Sequence, residues 1–309
     1  MFKNPFPFSI SMTLLAGIVR ENRLIMESAW QKHVATLPSP APVKTLNEAL
    51  QLVQQELSAA VKKRISDHHF GILFSGGVDS ALLATLAKQH TDNFTCYTVG
   101  VEGAKDLAAA KTLAKIMNFP LKTDVLTLDE VEFLLKKVIR ILPMKDTVNI
   151  EIALTGLAAI ELAKHNNDTV LFSGLGAEEI FAGYQRHAEA KDVNKECWAG
   201  LKKMWRKDLL RDFSIATTTK VTVLTPFLDP SLITAAMRIP GQWKIKNNDR
   251  KIILQQVASE LGIPKEFAFR RKLAAQYGSS ISKALTILAK KKGFAYKQEY
   301  LQTLFANSD

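Results

Sequence analysis

The chain has 309 residues, 47% hydrophobic and 23% charged, and that apolar content offsets the entropy of ordering, which excludes a disordered chain. The longest apolar-leaning stretch near a terminus, Phe6 to Val19, runs 14 residues into Arg20-Glu21-Asn22-Arg23; a bilayer span needs roughly 20, and no small-residue cleavage site follows, so neither a membrane anchor nor a signal peptide is expected. The net charge of +11 is lopsided: residues 1–190 carry 19 basic and 20 acidic groups (net −1), residues 191–309 carry 22 and 10 (net +12), which points to an anionic partner for the C-terminal part or to a lysine-rich solubilising surface.

In chain order, residues 1–45 read as an N-terminal extension. Met12 to Val19 and Leu24-Ile25 flank Arg20–Arg23 as a hairpin would, and Pro38, Pro40 and Pro42 form a semi-rigid linker. Residues 46–309 are expected to be one domain. Leu50, Val53, Leu57 and Val61 give Asn47–Ile65 a helical spacing. Strand Phe70–Phe74, helix Ala81–Gln89, strand Phe94–Val101, helix Leu107–Met117 and strand Leu121–Leu126 follow, then helix Ile150–Lys164 and strand Thr169–Phe172. Alternation at this pitch predicts an α/β fold, a doubly wound parallel sheet covered on both faces. Residues 191–309 read as a basic, mostly helical part. Cys96 and Cys197 fit neither a metal spacing nor a disulfide framework, so a reducing, cytoplasmic setting is expected.

The informative stretch is Phe74-Ser75-Gly76-Gly77-Val78-Asp79-Ser80, between a hydrophobic strand and a helix. Glycines let the backbone approach a ligand closely. Turn amides and the helix N-terminus then converge on an anion, with Ser75 and Ser80 adding hydroxyls. Asp79 would repel phosphate unless a cation intervenes, and Mg²⁺ suits a carboxylate-and-phosphate site. The Walker pattern is excluded, because no lysine follows the glycines.

This loop resembles the pyrophosphate loop of the N-type ATP pyrophosphatases. Four further stretches narrow the resemblance to the synthetase domain of asparagine synthetases, and within it to the asparagine synthetase domain-containing subfamily. They are Val99-Gly100 through Ala110, Ser173-Gly174-Leu175-Gly176-Ala177-Glu178-Glu179 through Tyr184, Arg211-Asp212 with Pro226-Phe227-Leu228-Asp229, and Arg270-Arg271-Lys272 with Gln276-Tyr277-Gly278. The resemblance implies the adenine-nucleotide hydrolase-like form of the sheet. It implies ATP held by Leu73, Ser75, Gly76, Gly77, Asp79, Ser80, Val99, Gly100 and Gly174, and Mg²⁺ held by Asp79 and Glu178. It implies transition-state cations at Lys272 and Arg271, with Glu178 also in the catalytic set, and a carboxylate substrate near Asp146, Glu151 and Arg211. The expected reaction is ATP-dependent adenylation of a carboxylate with release of pyrophosphate, then amide formation with ammonia or an amine. Only about 45 residues precede the matching part, so the cysteine glutaminase of full-length relatives is expected to be absent, and ammonia to come from solution or a separate glutaminase chain.

Two positions depart from the family pattern. Leu175 stands where the family has a glutamate that resembles a general base, and leucine moves no proton. In Lys145-Asp146-Thr-Val-Asn-Ile150-Glu151 the family has an arginine at the last position, reading the substrate carboxylate. Two like charges at 4 Å cost about 4 kcal/mol at an effective dielectric of 20, so free aspartate is expected to be a poor substrate. Asp229 reads as a helix cap at Ser231, and His68-His69 as a surface turn. The run Lys202-Lys203-Met204-Trp205-Arg206-Lys207 reads as a solvated helix face or as a polyanion surface. That leaves a tRNA-adenylating enzyme, a weakly active ATP-binding module and a plain ammonia-dependent asparagine synthetase as alternatives.

Overall fold

The computed structural model describes residues 19–20, 23–39, 41–271 and 273–306. Lys272 and residues 12–18 of the expected hairpin lie outside the described residues, although Val19–Arg20 does pair antiparallel with Arg23–Leu24. The first helices are α1 (Glu27–Thr36) and α2 (Leu46–Lys62), the latter capped by Thr45, whose side chain accepts from the Glu48 amide. Then come β1 (Phe70–Leu73), α3 (Val78–Lys88), β2 (Phe94–Val101), α4 (Lys105–Met117), β3 (Leu121–Leu126), α5 (Leu128–Ile141), α6 (Thr147–His165) and β4 (Val170–Phe172). After the short turns α7 (Ala177–Ile180) and α8 (Gln185–Ala188) come α9 (Val193–Lys203), α10 (Asp208–Thr219) and β5 (Thr222–Leu224). The remainder is helical: α11 (Pro230–Met237), α12 (Gly241–Lys244), α13 (Ile252–Glu260), α14 (Lys265–Ala268), α15 (Ala275–Gly278), α16 (Ile281–Lys291) and α17 (Lys297–Ala306).

The five strands form one parallel sheet in the order β3-β2-β1-β4-β5. The chain starts in the middle, builds outward to β3, and returns to the other side of β1 for β4 and β5. This is the doubly wound arrangement expected, and its reversal point lies between β1 and β4, where α/β sheets open a crevice at their carboxyl ends. Side chains alternate between two cores. Phe70, Ile72 and Phe172 point toward α2, α3 and α13, while Tyr97, Leu171 and Val223 point toward α5, α6 and α16. Burial of the near-continuous apolar run in α3, from Val78 to Ala87, fixes the helix that begins at the Ser-Gly-Gly loop.

α1 is tied to the rest by two indoles: Trp30 Nε1 donates to the Leu201 carbonyl at 2.9 Å, and Trp205 Nε1 to the Ile25 carbonyl at 2.7 Å. Trp198, Trp205 and Trp243 pack against the core, so the basic run around Trp205 uses its aromatic ring for packing. Asp229 caps α11, accepting from the Ser231 amide at 3.1 Å, and also pairs with Lys63 and Arg64. Among the described residues, no helix is long and apolar enough to cross a membrane.

Candidate active site

The site begins with the end of β1. The Phe74 amide donates to the Tyr97 carbonyl at 2.8 Å, and the Thr98 hydroxyl donates to the Phe74 carbonyl, so the residue just after β1 is held before the chain turns. Ser80 Oγ accepts from the Ser75 amide at 3.2 Å and donates to the Gly77 carbonyl at 3.1 Å. Ser75 Oγ lies 3.4 Å from both the Gly77 amide and Ser80 Oγ. The loop is thus shaped before any ligand arrives. Gly76 has φ +66°, and a Cβ there would lie 2.7 Å from the Ala110 nitrogen of α4; glycine is what lets the loop tuck against that helix. The first amides of α3 have no acceptor within the helix and carry its positive dipole end.

Asp79, in the first turn of α3, and Glu178, in α7, come from the two sides of the sheet's reversal point. Both meet one cation, the ammonium of Lys251. Its Nζ lies 2.8 Å from each Asp79 oxygen and 2.7 Å from Glu178 Oε1. Burial opposes the charge of Lys251, but Asp79 and Glu178 outweigh it and hold its pKa well above the ordinary lysine value. Gly183 has no side chain for a steric reason: a Cβ would collide with the Glu178 carboxylate and with Lys251 Cε. Two carboxylates aimed at one point are the hard-oxygen set that Mg²⁺ accepts, with water and phosphate oxygens completing its shell. Among the described residues no cluster of three or more His, Cys, Asp or Glu side chains is placed to hold a metal ion; magnesium is commonly bound through one or two carboxylates.

The loop after α14 closes over the cradle. Arg270 Nη2 donates to Asp106 Oδ1 at 2.7 Å, and its Nη1 lies 3.5 and 3.4 Å from the carbonyls of Ser75 and Gly76. Arg270 therefore ties its own backbone to the pyrophosphate loop. Arg271, next along, is exposed. Leu73, Val99 and Gly100 end β1 and β2 beside the loop, and Gly174 lies against Asp79, where a Cβ would sit 3.2 Å from the Asp79 Cβ.

Each of the expected substrate residues has partners within the protein. Asp146 is the N-cap of α6, accepting from the Asn149 amide at 3.0 Å and from its side chain at 2.7 Å. Arg211 is buried and committed to Asp212 (2.7 Å), Asp208 (3.2 Å) and Asn149 Oδ1 (3.2 Å). Glu151 is also buried and is met by Lys297 Nζ at 2.5 Å, with Ser282 Oγ on the same ammonium. The bare anion expected at position 151 is therefore neutralised, by a cation that α17 brings from 146 residues away. Leu175 packs against the core.

Beneath Glu178 lies a second acidic layer that the sequence reading did not single out. Glu179 is 2% exposed; burial first, then the charges of Asp208 and Glu178, push its pKa up to about 8, against a hydrogen bond from Tyr184. His187 and Lys244 are fully buried nearby, with Nε2 and Nζ lacking hydrogen-bond partners among the described residues. Burial, and then the cations Arg186 and Lys244, push the imidazole down to about 4.

Among known families, the model described as asparagine synthase matches the sequence of residues 52–194 and 185–293. The chain belongs to the asparagine synthase family. A Methanocaldococcus jannaschii protein, assigned by inference as asparagine synthetase (glutamine-hydrolyzing) 1, is 31% identical over 302 residues, covering 84% of this chain and 56% of that protein. The Zea mays asparagine synthetase (glutamine-hydrolyzing) is 27% identical over 257 residues, covering 77% of this chain and 43% of its own length. The chain thus spans about half the length of the curated relatives it matches. Among solved structures, an NMN synthetase from Francisella tularensis overlays with a TM-score of 0.43 at 14% identity, covering 86% of this chain and 95% of the other.

Proposed function

We propose that this chain is an ATP-dependent amide ligase that adenylates a carboxylate, releases pyrophosphate and passes the acyl group to ammonia or an amine. The observation that carries the reading is the meeting of Asp79 and Glu178 at one cation position beside the Ser75–Ser80 loop. ATP is the substrate that uses all of these parts. Ser75, Gly76, Gly77 and Ser80 bind its departing phosphates, and Leu73, Val99 and Gly100 flank the adenine. Gly174 leaves room beside Asp79. Asp79 and Glu178 would hold Mg²⁺, which would supply charge neutralisation for the pyrophosphate. Arg271 and Lys272, which follow Arg270 in sequence, stabilise the charge that develops on the phosphates as the carboxylate attacks.

A second reading, a plain ammonia-dependent asparagine synthetase, gains weight from Lys297. The relatives are named for glutamine-hydrolyzing asparagine synthesis, and the main objection to aspartate was an uncompensated Glu151. With Lys297 on that carboxylate, the repulsion toward a substrate α-carboxylate is largely cancelled.

The test is pyrophosphate-forming turnover of Mg-ATP with a panel of carboxylic acids, aspartate included, and ammonia. Asp79→Asn is expected to lower turnover by at least roughly 10²-fold, the size of one lost transition-state contact, with the fold intact by circular dichroism. Turnover unchanged by Asp79→Asn would remove the site from the reaction. Asparagine formed at millimolar aspartate selects the second reading.

A further inference from the structure

The cation between Asp79 and Glu178 is one the chain supplies itself. Its placement is built into the local fold. Ile245–Lys246 and Asp249–Arg250 pair antiparallel around Asn247-Asn248, whose φ values of 51° and 66° make the two-residue turn that matches strand twist. Lys251 follows at once, itself at φ 59° and serving as the N-cap residue of α13. α13 is anchored by buried Ile253, Leu254 and Val257. A rigid hairpin on one side and a packed helix on the other fix the Lys251 backbone, and its stem runs past Gly183. The ammonium reaches both carboxylates from 172 residues away in sequence for Asp79 and 73 for Glu178.

We propose that Lys251 is a built-in counter-ion that fills the cation position between Asp79 and Glu178 in the nucleotide-free protein, so that a divalent ion gains that position only together with the phosphates that draw the ammonium away. The inference deepens the function proposed above and rests on it for the role of Asp79 and Glu178 as cation ligands. The ammonium, with oxygens at 2.8, 2.8 and 2.7 Å, occupies the space between the two carboxylates that a divalent ion held by both would need. The two cations exclude each other sterically and by charge. An ammonium displaced from two buried carboxylates needs another anion of equal quality, and the phosphates of the nucleotide are anions of that kind, delivered to the adjoining loop. Ion and nucleotide then enter as one unit. A free divalent ion must pull Lys251 from a buried pair with nothing to receive it, and a ligand whose competent state is populated a tenth of the time binds about tenfold more weakly.

The experiment titrates Mn²⁺, followed by electron paramagnetic resonance, into the full chain, Lys251→Met and Lys251→Asn, each without nucleotide and then with an α,β-methylene analogue of ATP. Without nucleotide, Mn²⁺ is expected to bind either variant at least roughly tenfold more tightly than the unaltered chain. The analogue should raise the affinity of the unaltered chain far more than that of the variants. Lys251→Met combined with Asp79→Asn should lose the gain, which assigns the new ion to this site. Both single variants remove the ammonium that Asp79 and Glu178 share, so they should melt at lower temperature, and Mn²⁺ alone should restore them while leaving the unaltered chain unmoved. Asparagine tolerates a positive φ, so Lys251→Asn keeps the comparison open where Lys251→Met is too unstable. Equal Mn²⁺ affinity in the unaltered chain and the variants, or tight Asp79-dependent Mn²⁺ binding by the unaltered chain without nucleotide, would overturn the proposal. The titration needs no turnover: a chain that forms no pyrophosphate but shows the contrast disproves the reaction and keeps the counter-ion.

Discussion

Replacing Lys244 by methionine should stabilise this protein. Lys244 ends α12, just before the hairpin that carries Lys251, and its side chain is fully buried, with Nζ lacking a hydrogen-bond partner among the described residues. Cys197 lies close enough to act on it, but burial pushes that thiol up, so it offers no thiolate at neutral pH. Burial pushes the ammonium down from 10.5 to about 8. At about 1.4 kcal/mol per unit, that shift corresponds to a penalty of roughly 3 kcal/mol for holding the charge in the folded state. The penalty is complete below about pH 8, where both states are protonated. It shrinks as the folded state loses its proton ahead of the unfolded one, and is gone above 10.5. Methionine keeps the length and removes the charge, so Lys244→Met should raise the unfolding free energy by about 2–3 kcal/mol at pH 7 and by less than about 1 kcal/mol at pH 10. Urea unfolding followed by tryptophan fluorescence at the two pH values measures both numbers. A variant no more stable than the parent at pH 7, or an advantage that persists undiminished at pH 10, would mean that the ammonium is partnered in the folded protein, and the reasoning would fail.

Two other substitutions probe the same region. Glu179 has a folded pKa of about 8 against 4.5; a raised carboxyl costs nothing below pH 4.5 and destabilises increasingly up to about pH 8, so Glu179→Gln should add roughly 1–3 kcal/mol at pH 8 and little at pH 4.5, and a gain independent of pH would refute the assignment. Gly76→Ala places a methyl 2.7–3.0 Å from backbone atoms of Ala109 and Ala110 at φ +66°; about 1–2 kcal/mol of left-handed strain and about 1–3 kcal/mol of overpacking should lower stability and weaken nucleotide binding together, whereas calorimetry showing full-strength ATP binding would mean the loop does not need that backbone path.

Much of the sheet was legible because local patterns determine it. Strands Phe94–Val101 and Leu121–Leu126 have the limits the pattern implies, and the helix after the Ser-Gly-Gly loop begins at Val78 instead of Ala81, because Gly77 already takes the N-cap position. The sequence reading contains no helix over α5, although Thr127 and Glu130 form a capping box and Val131, Leu134, Leu135 and Val138 have helical spacing. That signal was local and available. β5 is different: three residues between a left-handed Lys220 and Pro226 are too few to show a period. The cradle was read from contiguous residues, and Arg270 lay within the Arg-Arg-Lys motif, whereas Lys251 and Lys297 stood in no motif. Lys251, Arg270 and Lys297 meet acids 172, 164 and 146 residues away, and a single lysine before a helix carries no mark of the carboxylate it will reach.

Those three cations also give the charge asymmetry a physical meaning. Each comes from the basic residues 191–309, and each acid it meets, Asp79 with Glu178, Asp106 and Glu151, comes from residues 1–190. Arg206 with Glu27, Arg238 with Glu48 and Lys292 with Glu132 repeat the pattern at the surface, where such pairs add little stability. At the site the pairs are buried or half-buried, and breaking one leaves an uncompensated charge. A bare polyanion that drew Lys251 to itself would take from Asp79 and Glu178 the cation they share. A nucleotide arriving with its own divalent cation leaves neither side unpaired. On this reading the basic C-terminal part is a partner for the acidic floor of the site before it is a partner for any other anion. If Lys251 is the counter-ion proposed above, the chain should prefer a metal–nucleotide complex to nucleic acid or free phosphate, because both members of an existing ion pair must be satisfied at once.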